Sequence, residues 1–207
     1  RFIRQATDTG KPFVLWMCTQ VPHMDGQHTW PADEKYLARH PASKMPVPKS
    51  WNDDLEGKPD YLRAARNRTR ALEYGYDRPT NIRNHIRDYR ASVEQMDAAV
   101  GRVLSEIQKG TLKENTWVIL MGDNGWFLGE HGMTSKVLPY EESMRVPMAI
   151  AGPNTPAQAV NHIALNIDLT ATIYELAGLS LPAQMHGRSL LPIVRGETPH
   201  DWRKSFL

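Results

Sequence analysis

TWVILMGDNG, residues 116–125, sets five apolar side chains in a row (117–121) before a polar turn. An unbroken apolar run with β-branched members is the pattern of a strand buried on both faces, whereas a strand with one wet face alternates. Two further runs share this character, PFVLWMCTQV at 12–21 and VPMAIAG at 146–152. Between the first two lies a long helical text over residues 80–109. Its apolar positions Val93, Met96, Ala99, Val100, Val103, Leu104 and Ile107 recur at spacings of three and four, and Gly110 follows as a stop. A second helix is predicted over 169–177 (LTATIYELA), capped by Asp168 and ended by Gly178. Strand, helix, strand, strand, helix is an α/β order, and the fully apolar strands predict a mainly parallel sheet flanked by helices.

The 207 residues suit one ordinary domain. Hydrophobic residues make up 41% and charged residues 23%, with 14 Gly and 15 Pro, which excludes a disordered tail, a collagen and a coiled coil. Lys and Arg total 25 against 23 Asp and Glu, so the net charge of +2 gives no strong global field for nucleic acid or membrane. No stretch approaches the roughly 18 uninterrupted apolar residues of a membrane helix. Cys18, single in the chain, excludes an intramolecular disulfide and a thiolate zinc cluster. Inside its apolar run it is predicted to be a buried structural cysteine. The opening RFIRQATDTG reads as the last turn of a helix before a loop, and with no apolar segment it is not a signal peptide. A chain that begins in mid-element is expected to be a piece of something longer.

The rest of the chain is punctuated. Residues 22–60 carry Pro22, Pro31, Pro41, Pro46, Pro48 and Pro59, which predicts a long loop that shapes a site or is disordered, not a packed element. A short helix is predicted over 60–75, a polar loop over 125–143, and a tail with few periodic signals over 181–207.

In open α/β sheets, ligands bind beyond the carboxyl ends of the strands. The first apolar run ends at His23 and the second at Asp123-Asn124. A carboxylate beside an amide carbonyl offers two hard oxygens suited to Ca²⁺ or Mg²⁺. Taken alone, Asp-Asn-Gly reads first as a turn in its own right, and His23 as a loop or capping histidine. Lys136 supplies a compact cation able to hold an oxyanion, or is a solvated loop lysine. Glu141, Glu142, Ser143 and Arg145 are read as fixing the loop through an ion pair. Over 61–90, eight arginines face three acidic residues. That excess suits a polyanion such as a sulfated glycan or nucleic acid, or is a helix face with partners elsewhere in the fold. No aromatic-interleaved basic motif supports nucleic acid. Asn67-Arg68-Thr69 has the form of a glycosylation sequon, a triplet common by chance.

Taken together, the chain resembles the formylglycine-dependent sulfatases of the alkaline phosphatase superfamily. The matching blocks are KPFVLWMCTQVPH (11–23), YRASVEQMDAAVGRVLSEI (89–107), NTWVILMGDNGWFLGEHGMTSKVLPYEESMRVPMAIAGP (115–153), NIDLTATIYELAG (166–178) and HGRSLLPIVRG (186–196). They keep the family's order nearly from end to end. The resemblance implies that Asp123 and Asn124 are metal ligands, normally of Ca²⁺, with Mg²⁺ possible. It implies that Lys136 binds the sulfate and steadies charge on the bridging oxygen, that His23 contacts the ester, and that His131 lies on the substrate side. Segments 53–68 and 162–178 look most like bacterial relatives of N-acetylglucosamine-6-sulfatases, which implies a sulfated sugar as substrate.

The departures shape the expectation as much as the matches. The family nucleophile is a formylglycine made within Cys/Ser-x-Pro-x-Arg, and no such motif occurs here; Cys18 is followed by Thr19-Gln20-Val21. The family's paired Asp metal ligands and its first-half Lys and His are missing too. The expectation is therefore an incomplete sulfatase-like fold. Residues 1–207 would be the second half of the catalytic domain, with 22–60 its long active-site loop and 197–207 the start of a C-terminal subdomain. Such a chain is expected to be inactive alone, with formylglycine supplied from an N-terminal half. The resemblance also implies a periplasmic, secreted or lysosome-like location, without nucleic acid as a partner. Alternatives are a phosphate or phosphonate monoester hydrolase of the same superfamily, or a non-catalytic glycan- or Ca²⁺-binding fragment.

Overall fold

The computed structural model describes residues 1–206. In chain order its elements are α1 (Phe2–Thr9), α2 (Glu34–Leu37), α3 (Asp60–Arg63), α4 (Arg66–Glu73), α5 (Pro79–Ile107), β1 (Val118–Met121), β2 (Phe127–Leu128), β3 (Thr134–Ser135), α6 (Glu141–Met144), β4 (Met148–Ala151), α7 (Ile167–Leu176) and α8 (Leu191–Val194). The chain divides into two units: Arg1–Lys109 with Asn124–Arg145, and Gly110–Asp123 with the residues from Val146 on.

The first unit is built on α5, which opens with Pro79 in its first turn, where a missing N–H costs nothing. Its extent matches the helical periodicity. Its buried positions do not: Ile82, Ile86, Ala91 and Ser92 are buried, and the predicted stripe from Val93 to Ile107 is half-buried. The N-terminal half is covered by the long proline-rich loop. Met24, Trp30 and Met45 from that loop pack with Ala71 of α4, Tyr76, Ile82 and Ile86, while Leu55 joins Leu62, Phe127 and Met133 in a second cluster. The expectation of an unpacked segment over 22–60 is thus corrected. Irregular backbone can be buried when its polar groups are matched. Asp25 accepts from Gln27 N–H, Thr29 N–H and Thr29 Oγ, Gln95 Oε1 accepts from Asp33 N–H, and Arg83 donates to the Met45 carbonyl. At the other end of the unit, β2 and β3 form an antiparallel pair, Phe127 opposite Ser135 and Leu128 opposite Thr134. The predicted polar loop 125–143 is therefore this hairpin followed by α6.

In the second unit, β1 and β4 pair antiparallel, Val118 opposite Ala151 and Met121 opposite Met148. Both apolar runs are strands as predicted, but the mainly parallel sheet is not what forms: the strands described make two antiparallel pairs. Nor is residues 12–21 a buried strand. It has no regular secondary structure or strand pairing, with Val14 81% and Trp16 77% exposed and Cys18 exposed as well. Apolar periodicity reports what a segment would bury, not which neighbour hydrogen-bonds it. Helix α7 starts two residues earlier than predicted. Asn166 Oδ1 accepts from Ile167 N–H, and Asp168, predicted as the cap, sits fully buried in the first turn. Asp168 accepts from Leu165 N–H, Arg188 N–H and both terminal nitrogens of Arg203, so the aperiodic tail is pinned to α7.

Candidate functional site

Residues 124–126 enter the first unit directly after Asp123. Gly125 N–H donates to the Ser143 carbonyl at 2.8 Å, and a β-carbon at position 125 would collide with the Glu142 carbonyl, so only glycine allows this approach. The turn points two side chains at one place. Asn124 Oδ1 accepts from Lys136 Nζ at 2.9 Å, and Lys136 Nζ lies 5.7 Å from the Trp126 ring centroid, within cation–π range. His23 meets the same ring edge-on, with centroids 5.6 Å apart.

His23 is placed by the loop ahead of it. Its N–H donates to the Gln20 carbonyl at 2.9 Å, and the preceding Pro22 carbonyl accepts from Trp30 Nε1 at 3.0 Å. Trp30 is buried in the core and packs edge-on against Trp126 at 6.3 Å. His23 Nδ1 lies 2.7 Å from the Met24 carbonyl. A carbonyl only accepts, so Nδ1 carries the proton in that bond and Nε2 is the nitrogen left to the exposed side. Three of the predicted site residues, His23, Asn124 and Lys136, are thus gathered around Trp126. Asp123 is exposed and is Asn124's neighbour in the chain.

His131 is held separately. Its Nδ1 is 2.7 Å from Asp53 Oδ2, and its Nε2 is 3.7 Å from Glu142 Oε1, an ion-pair distance too long for a hydrogen bond. Tyr140 lies against the ring at 4.9 Å. The bond to His131, with Leu55 N–H on its other oxygen, holds the Asp53 carboxyl below the usual carboxylate range. Burial pushes the neighbouring Glu130 carboxyl the other way, upward, although it accepts from Leu128 N–H.

Part of the arginine-rich stretch is engaged within the fold, while Arg66, Arg78 and Arg90 are exposed. Arg68 donates to the carbonyls of Asp53 and His131, Arg63 to Leu55, Arg83 to Met45, and Arg87 pairs with Asp88. For Arg63, Arg68 and Arg83 that agrees with partners elsewhere in the fold. The sequon asparagine is buried, and its Nδ2 donates to the carbonyls of Thr134 and Lys136 at 2.8 and 2.9 Å, so the nitrogen a glycan would need is committed. The predicted Glu141–Arg145 ion pair exists at 3.8 Å but is exposed; Ser143 does the fixing. Sequence reading missed Trp126, Asp53 and Asn67. Trp126 directly follows the Asp-Asn-Gly turn, which was its one available signal; nothing local marks Asp53.

By residue type, Asp123 and Asn124 offer one carboxylate and one amide carbonyl, the kind of oxygen a hard divalent cation takes. They are fewer than the roughly six to eight oxygens that Ca²⁺ takes. Among the described residues no group of three or more His, Cys, Asp or Glu side chains converges as a metal cage.

A family model for sulfatases matches residues 1–179, and the chain belongs to the sulfatase family. It is 37% identical over 125 residues to an N-acetylglucosamine-6-O-sulfatase of Bacteroides thetaiotaomicron, covering 58% of this chain and 22% of that protein. The solved structure of BT4656 with its substrate D-glucosamine-2-N,6-O-disulfate superposes with a TM-score of 0.74 at 25% identity, over 90% of this chain and 49% of that one. A phosphonate monoester hydrolase from Silicibacter pomeroyi shares the fold, with a TM-score of 0.76 at 24% identity over 88% of this chain and 37% of the other. The chain therefore has an alkaline phosphatase-like fold and spans less than half the length of each of these proteins. No helix among the described residues is long and apolar enough to cross a membrane.

Proposed function

We propose that this chain supplies part of the active site of a sulfuric ester hydrolase acting on a sulfated sugar. The observation that carries the reading is the gathering of Lys136, Asn124 and His23 around Trp126. Hydrolysis of a sulfate ester breaks the bond to the bridging oxygen, where negative charge develops. Lys136 places a point charge that stabilises that oxygen in the transition state more than in the ground state. His23 keeps its Nδ1–H on the Met24 carbonyl and leaves Nε2 to face the ester. A divalent cation, Ca²⁺ or Mg²⁺, held in part by Asp123 and Asn124, would polarise the sulfate oxygens. The nucleophile is assigned to a formylglycine outside these 207 residues, which lack Cys/Ser-x-Pro-x-Arg. The same reading takes residues 1–207 as the second half of a catalytic domain. His131 borders the substrate side, where its Asp53 and Glu142 contacts hold the loop ends together.

A sulfated glucosamine is favoured because a glucosamine sulfatase and a glucosamine disulfate complex are both similar to this chain. An exported location, periplasmic, secreted or lysosome-like, follows from the family resemblance alone. The test is turnover of glucosamine 6-sulfate, a phosphate monoester and a phosphonate monoester by the full-length protein and by its Lys136→Ala variant. Sulfate ester is expected to be preferred, and the variant to lose about 100- to 1,000-fold in kcat. Preferred phosphonate turnover, or an undiminished variant, would sink the reading. Residues 1–207 alone are expected to show none.

A further inference from the structure

Lys136 sits between two residues held in the left-handed region, Ser135 at φ 73° and Val137 at φ 90°. Neither is glycine and Val137 is β-branched, so the conformation persists only where the surroundings impose it. Two buried side chains impose it here. Asn67 of α4 donates one Nδ2 hydrogen to the Thr134 carbonyl at 2.8 Å and the other to the Lys136 carbonyl at 2.9 Å, which staples the backbone on both sides of Ser135. Ser143 of α6 works from the other side. Its Oγ accepts from Val137 N–H at 3.0 Å, and its carbonyl accepts from Gly125 N–H at 2.8 Å. One residue thereby ties together the two segments whose side chains meet at the Lys136–Asn124 bond. Arg68, bonded to the Asp53 and His131 carbonyls, anchors α4 immediately beside Asn67.

We infer that Asn67 and Ser143 are positioning residues for Lys136, an inference that rests on the catalytic role proposed above. Neither touches the reacting atoms; together they aim the cation at the bridging oxygen. A cation that stabilises the leaving oxygen matters more when the leaving group is poor. That gives a readout which general loosening of the fold would not move.

The experiment compares kcat and KM for glucosamine 6-sulfate, an alkyl ester, and para-nitrophenyl sulfate, an activated one, in the full-length enzyme. The variants are Asn67→Ala, Ser143→Ala, Lys136→Ala and the double Asn67→Ala/Lys136→Ala. Asn67→Ala is expected to lower kcat on the sugar sulfate by about 10- to 100-fold, far less on the aryl sulfate, with KM little changed. Lys136→Ala should show the same asymmetry, and the double variant should be no worse than Lys136→Ala, as for residues acting as one unit. Ser143→Ala should show the asymmetry in weaker form, and it decides the matter if circular dichroism shows Asn67→Ala unfolded. Equal losses on both esters, an effect on KM alone, or losses that multiply in the double variant overturn the inference. If Lys136→Ala is asymmetric and the other two are not, only the positioning role falls. If Lys136→Ala is fully active, the functional reading falls with it.

Discussion

Asp53 is a residue whose ionisation is written into the fold. His131 Nδ1 at 2.7 Å and Leu55 N–H at 2.8 Å both favour its charged form, so its folded pKa lies below the unfolded value of about 3.9. A depressed carboxyl pKa adds stability that is present above about pH 4 and is lost as pH falls through the folded value. Asp53→Asn should therefore melt below the parent at pH 7, and the two curves should converge on acidification. Thermal unfolding between pH 3 and pH 7 measures it, and a gap that persisted at the acid end would contradict the assignment. Nothing local to Asp53 announces this. Its partner His131 is 78 residues away, and the bond exists only because the proline-rich loop and the β2–β3 hairpin meet.

Among the elements, α5 does most to hold the first unit. Ile82 is fully buried, and Gly129 of the hairpin approaches it closely enough that a β-carbon there would lie 3.3 Å from Ile82 Cδ1. Truncation to Ile82→Ala should cost about 2–5 kcal/mol in urea unfolding, because the surrounding core closes a cavity only partly. A loss well under that range would mean the loop collapses onto the space. The length of α5 was readable because helix periodicity and a glycine stop are local signals. Its buried face was not. The side chains covering it come from residues 24–45, whose irregular backbone carries no period, and the match depends on contacts such as Asp33 to Gln95 across 62 residues. Strand direction failed for a related reason. The run at 118–121 looks the same whether its neighbour is parallel or antiparallel, and the neighbour it takes at 148–151 is antiparallel.

At the scale of the whole molecule, a buried ion pair pins the tail to α7 in the second unit. Asp168, fully buried, receives Arg203 through two nitrogens, at 2.5 and 2.8 Å, and Arg203 also stacks on Trp202 at 5.0 Å. Asp168→Ala leaves Arg203 uncompensated and should destabilise by about 3–5 kcal/mol. Adding Arg203→Met should recover part of that loss in chemical denaturation, and a purely additive double variant would show that the pair is not coupled. The amino-acid sequence by itself determined the family, the extent of α5, the existence of α7, the two apolar runs that become strands and the bend at Asp-Asn-Gly. Those are features whose physical cause lies within a dozen neighbouring residues. Tertiary structure alone decided the strand pairing, the exposure of residues 12–21, the pinning of the tail and the setting of Lys136 by Asn67 and Ser143. Each of these depends on groups brought together by packing, where hydrogen-bond direction and close fit, not periodicity, select the partner.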